Sequence, residues 1–151
     1  VFPETGIDTG AAIDPQSNLE NISAKVAPLI KAMMDSGEYD ECDYGVVIDV
    51  YQLLPKDYVT HICGNDCKIY YFLSSDTTPE ERFHILKEHD TPDDYTYYHS
   101  DEENKKDCVD IVNISRMIKE QCISYGLPYY ETSYERDKVL AMFMTEHIKC
   151  V

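Results

Sequence analysis

Three runs of β-branched and aromatic residues punctuate the chain: Gly45-Val46-Val47-Ile48-Asp49-Val50-Tyr51, Lys68-Ile69-Tyr70-Tyr71-Phe72-Leu73 and Leu127-Pro128-Tyr129-Tyr130-Glu131-Thr132. Each is apolar on consecutive positions, the pattern of a strand buried on both faces. Stretches of helical period separate them. Strands alternating with helices imply an α/β fold, a parallel sheet with helices on both faces. Ligands in such sheets bind outside the carboxyl ends of the strands.

The helices are legible from their ends. Ser17 and Glu20, Thr78 and Glu81, Ser100 and Glu103, and Thr132 and Glu135 each have capping-box spacing, in which two side chains satisfy each other's free backbone donors. The first helix is expected to run from Ser17 to a stop at Gly37, with Leu19, Ile22, Val26, Leu29, Ile30 and Met33 on its apolar face and a kink or break at Pro28. A short helix opens at Pro55 and ends near Gly64, and another runs from Pro79 to about His89. Residues 90–99, rich in Asp, Thr and Tyr, read as an exposed loop. A long helix follows Ser100 and stops at Gly126, and a last one carries Val139, Leu140, Phe143 and Ile148.

At 151 residues the chain reads as one α/β domain over 1–151. Thirteen Lys and Arg stand against 29 Asp and Glu, a net charge of −16. That surface repels phosphate backbones and anionic membranes, so no nucleic-acid or membrane partner is expected. No apolar run approaches a membrane span. Six cysteines without a leader read as reduced thiols of a cytoplasmic protein. His61, Cys63 and Cys67 put three soft ligands within seven residues, but zinc wants a fourth ligand and usually a second knuckle, and no metal is assigned.

Cations are scarce, so their positions inform. Arginine occurs only at 82, 116 and 136. Arg82 and Lys87 precede the acidic loop, and Arg116 and Lys119 follow it; such a pair of helices can clamp a phosphate, or simply pair with surplus acids. Asp49, at a strand end, can hold Mg²⁺ or a substrate hydroxyl, or be a solvated acid. Thr132 and Ser133 can touch a ligand or cap the next helix. No Gly-x-Ser-x-Gly, His-Glu-x-x-His or Cys/His signature is present.

From Val46 to Ile148 the chain resembles small P-loop kinases of the nucleotide, nucleoside and shikimate kinase type. The matching pieces are "VVIDVYQLLPKDY", "KIYYFLSS" with "TTPEERFHILKEHDTPDDYTYY", "ISRMIKEQCISYGLPYYETS" and the closing helix. The resemblance implies a three-layer sandwich, ATP and Mg²⁺ as cofactors, and phosphoryl transfer to a small-molecule acceptor. It would place Asp49 near Mg²⁺ or the acceptor, Arg82 and Arg116 on a lid over about 77–107, and Thr132 and Ser133 beside the nucleobase. Thr5, Asp8 and Tyr51 would border the acceptor. The family's Gly-x-x-x-x-Gly-Lys-[Ser/Thr] cradle is absent from this sequence, which opens on Val. A preceding strand–helix unit is therefore expected, making these residues the C-terminal part of a larger domain. The alternative is a non-catalytic acidic binding or interaction module.

Overall fold

The computed structural model describes residues 14–37, 46–64 and 67–147. The chain divides into two compact units, 1–62 and 63–151. Among the described residues are five α-helices, one 3₁₀ turn and two strands of three residues each.

The described residues of the first unit hold a helix pair. Helix α1 spans Pro15–Asp35 and α2 spans Pro55–His61. The cap of α1 is Asp14, not Ser17: its carboxylate accepts from the Ser17 backbone N–H at 2.9 Å and from the Ser17 hydroxyl at 3.1 Å. Asp followed by Pro at the first helical position outcompetes Ser one turn later, because a carboxylate also meets the positive helix end. The helix runs through Pro28 without the expected break. Buried Ala27 and Ile30 pin the chain on either side of that proline. It stops where expected, with Gly37 at φ +70°.

The buried stripe of α1 is Leu19, Ser23, Ala27 and Ile30, while Leu29 and Met33 are exposed. Ser23 decides this rotation. Its hydroxyl accepts from the Leu54 backbone N–H at 2.8 Å and donates to the Asp57 carboxylate. Small Ser23 and Ala27 let α2 approach, and Leu53, Leu54, Tyr58 and Ile62 fill the contact.

No strand forms over 46–50. Val46, Val47, Ile48 and Tyr51 are all exposed, so the β-branched run meets no ladder partner among the described residues. A strand cannot satisfy its backbone alone.

The second unit holds β1 (Tyr71–Leu73), α3 (Pro79–His89), the 3₁₀ turn Tyr95–Tyr98, α4 (Asp101–Tyr125), β2 (Tyr129–Glu131) and α5 (Arg136–His147). The strands pair in parallel, Tyr71 opposite Tyr129 and Leu73 opposite Glu131. This corrects the expected architecture. The described residues are mostly helical with a two-stranded sheet, not a three-layer sandwich. The ladder is short for local reasons. Pro128 has no N–H to extend it at one end. At the other, the backbone N–H of Ser74 goes to the Ser115 hydroxyl at 3.2 Å and that of Ser75 to the Glu131 carboxylate at 3.1 Å.

Both helices flanking the acidic loop begin as expected, with reciprocal capping boxes at Thr78/Glu81 and Ser100/Glu103. They pack against each other, and α4 also packs on β1. The expected box at Thr132/Glu135 does not form. The Thr132 hydroxyl donates across to the Leu73 carbonyl at 2.9 Å, and α5 begins at Arg136 after Glu135 at φ +50°. Helix α5 docks on the sheet through rings: Phe143 lies 5.0 Å from Phe72 of β1 and 5.4 Å from Tyr130 of β2, between centroids.

Candidate functional site

Two clusters form at the carboxyl ends of the paired strands, both inside the second unit. The first centres on Glu131. Its carboxylate accepts from the Ser133 backbone N–H at 3.0 Å and the Ser133 hydroxyl at 2.5 Å, and from the backbone N–H and hydroxyl of Ser75. Lys119 of α4 reaches Asp76 at 2.5 Å and Glu131 at 3.9 Å. Its hydrogen bond is the main cause that holds the Asp76 carboxyl below its usual range, and the same bond raises Lys119. Arg116, one turn earlier on the same helix, donates from Nε to the Ser75 carbonyl at 3.1 Å and from Nη2 to the Thr77 carbonyl at 2.9 Å. Every one of these groups is engaged with another part of the fold. The cluster ties the exit of β1 to β2 and α4.

The second is a cleft of about 450 Å³ bordered by α3, the acidic loop, α4 and the start of α5. Arg82, Thr132 and Ser133 line it, so three of the residues expected at a site converge. Arg116 is not in its wall. Arg136, His89, Tyr95, Thr96 and four aspartates, Asp90, Asp94, Asp107 and Asp137, complete the polar lining, and Ile85, Leu86, Ile111 and Cys108 are among its apolar residues. Arg136 carried a sequence signal in the scarcity of arginine; His89 carried none.

Two polar atoms of this wall are buried with no hydrogen-bond partner among the described residues: Arg82 Nε and Asp90 Oδ2. The other Asp90 oxygen accepts from the Thr96 hydroxyl at 2.6 Å. Asp94 is turned to its own loop, accepting from the Thr91 N–H at 3.0 Å and hydroxyl at 2.7 Å. Burial raises the Cys108 thiol, opposed by Arg82, and pushes Cys122 up to about 11, so neither is a ready thiolate.

Asp49 and Tyr51 belong to the first unit, both exposed and outside any helix or strand. Thr5 and Asp8 lie outside the described residues. The segment 77–107 expected as a lid carries α3, the 3₁₀ turn and the first turns of α4. Among the described residues no three His, Cys, Asp or Glu side chains gather as a metal ion would need, and four cleft carboxylates against two guanidiniums oppose a triphosphate. No described helix is long and apolar enough to cross a membrane. Compared with known proteins, the chain matches no family model, no curated protein sequence and no solved structure.

Proposed function

We propose that the second unit is a non-catalytic binding module whose cleft takes a small zwitterion, such as a free amino acid with an apolar side chain. The observation that carries this reading is the unpaired donor of Arg82 and the unpaired acceptor of Asp90 in one cleft wall. A buried polar group without a partner costs roughly 1–3 kcal/mol. A ligand carboxylate would meet Arg82 and its ammonium Asp90, each after the side chain turns toward the cleft. Ile85, Leu86 and Ile111 would receive an apolar side chain. The volume lies in the usual range of small-molecule sites. The hydroxyls of Thr132 and Ser133 donate to the Leu73 carbonyl and the Glu131 carboxylate, so both protons are engaged within the fold.

Isothermal titration of leucine and phenylalanine into the whole chain tests this. Binding is expected to fall at least tenfold with Arg82→Gln, with Asp90→Asn, and with N-acetylated or amidated ligands. Equal binding of the capped ligands, or none by wild type, refutes it. The convergence of Arg82, Thr132 and Ser133 favours a second reading, ATP binding with phosphoryl transfer to a small acceptor. Mg·ATP titrated in parallel decides between them: heat from ATP and none from amino acids selects the second.

A further inference from the structure

The acidic loop presents a second feature: Asp90, Asp94, Tyr95 and Thr96 line the cleft, whereas Tyr97 and Tyr98 stand outside its lining. Between 90 and 104 stand six acids (Asp90, Asp93, Asp94, Asp101, Glu102, Glu103) and no Lys or Arg. Within the same stretch Tyr95, Tyr97 and Tyr98 are 67%, 50% and 74% exposed. Three large rings facing water on one short turn are unusual for an apolar surface with nothing to bind.

The turn is held in place from beneath. Thr96, between the tyrosines, is buried; its hydroxyl donates to Asp90 at 2.6 Å, and its carbonyl accepts from Asn104 Nδ2 at 2.9 Å. Asn104 is itself fully buried in α4. Tyr98 is fixed by its hydroxyl, which donates to the Pro92 carbonyl at 3.1 Å, and its ring meets that of Tyr97 edge-on at 5.3 Å. The rings therefore project from a preorganised turn, and ordering them on binding costs little side-chain entropy. Asp93 and Glu102 are exposed in the same stretch, while Asp101 pairs with Lys87 at 3.1 Å and Glu103 closes the Ser100 cap.

We infer that this turn is a docking surface for an arginine- or lysine-rich segment of a partner protein. A guanidinium stacks on a tyrosine face while its edge meets carboxylates, which is the chemistry gathered here. Charge alone would attract such a segment to any part of a chain at −16, so the tyrosines are what makes this surface specific.

The test is fluorescence anisotropy of a labelled peptide of alternating arginine and serine on the whole chain, at about 0.15 M salt to screen diffuse attraction. The double variant Tyr97→Ala/Tyr98→Ala leaves the net charge unchanged and should weaken binding at least tenfold. Tyr97→Phe/Tyr98→Phe should retain most of it. Asp93→Asn/Glu102→Gln, at exposed sites that leave the turn's pin intact, should also weaken binding by several-fold. Equal affinity of wild type and the alanine variant overturns the inference, as does absence of binding. So does a wild-type dimer in sedimentation that the alanine variant abolishes, which would make a second copy the occupant.

Discussion

Glu131 shows how much one side chain can hold. Its carboxylate serves two backbone N–H groups and two hydroxyls, and Lys119 stands close by. Replacing it by alanine leaves those donors in a half-buried pocket. A loss of about 2–4 kcal/mol is expected from the unpaired backbone donors and the exposed end of the ladder. Glu131→Gln keeps one acceptor oxygen and should cost about half of that. Urea unfolding followed by far-UV circular dichroism reads both. A loss below about 0.5 kcal/mol, the usual range of exposed surface changes, would show that the hub is decorative. The same logic moves Arg116 from an expected phosphate ligand to a clamp on the carbonyls of Ser75 and Thr77. Its type and its helix were readable from the sequence. Its partners were not, because a turn 41 residues away presents them.

At the scale of elements, the two left-handed positions flanking β2 make a matched test. Gly126 ends α4 at φ +66°, and a Cβ added there meets nothing within 4 Å. Gly126→Ala should therefore cost about 1 kcal/mol from backbone strain alone. Glu135 sits at φ +50° before α5, where a side chain is strained. Glu135→Gly removes that strain and an exposed pair with Lys138 of little worth, so thermal unfolding should shift upward or stay level. A marked drop would mean that Glu135 is held there by an interaction stronger than its strain. These ends also show what the sequence could tell. Thr78/Glu81 and Ser100/Glu103 are local boxes, closed by residues three apart, and they form as the spacing predicts. Thr132/Glu135 has equal spacing and fails, because the Thr132 hydroxyl is taken by Leu73 on the neighbouring strand. Val46 to Ile48 fail as a strand for the complementary reason: β-propensity describes a surface that needs a neighbour, and none of the described strands supplies one. Arg82, Thr132 and Ser133 were legible as candidates because strand ends and scarce cations are local facts, and they share one cleft. The cleft itself was not, since its wall is assembled from α3, α4 and α5.

For the molecule as a whole, charge sets two opposing slopes against pH. At −16 the folded chain repels itself, and lowering the pH toward its isoelectric point near 4.5 relieves that repulsion. Four carboxylates act the other way. Hydrogen bonds hold each below its usual value: Asp76 by Lys119, Glu81 by the Thr78 backbone, Asp94 by the Thr91 hydroxyl and Glu103 by the Ser100 backbone. A depressed folded pKa means that the unfolded chain takes up protons first. The stability these groups contribute is therefore present above their usual values, 3.8 for Asp and 4.5 for Glu, and is lost as the pH falls through the lower folded ones. Stability should rise from pH 7 toward about 5, then decline below about 4. Urea midpoints at constant ionic strength trace this curve. Thr78→Ala with Ser100→Ala removes the hydroxyl half of two caps, and should lower stability at pH 7 and flatten the acid limb in part, because the backbone N–H groups that hold Glu81 and Glu103 remain. A double variant with an unchanged acid limb would assign the loss to the backbone bonds or to other carboxylates. Added salt separates the two slopes further: it screens the diffuse repulsion strongly and the short cap hydrogen bonds weakly, so the rise should shrink while the acid decline persists.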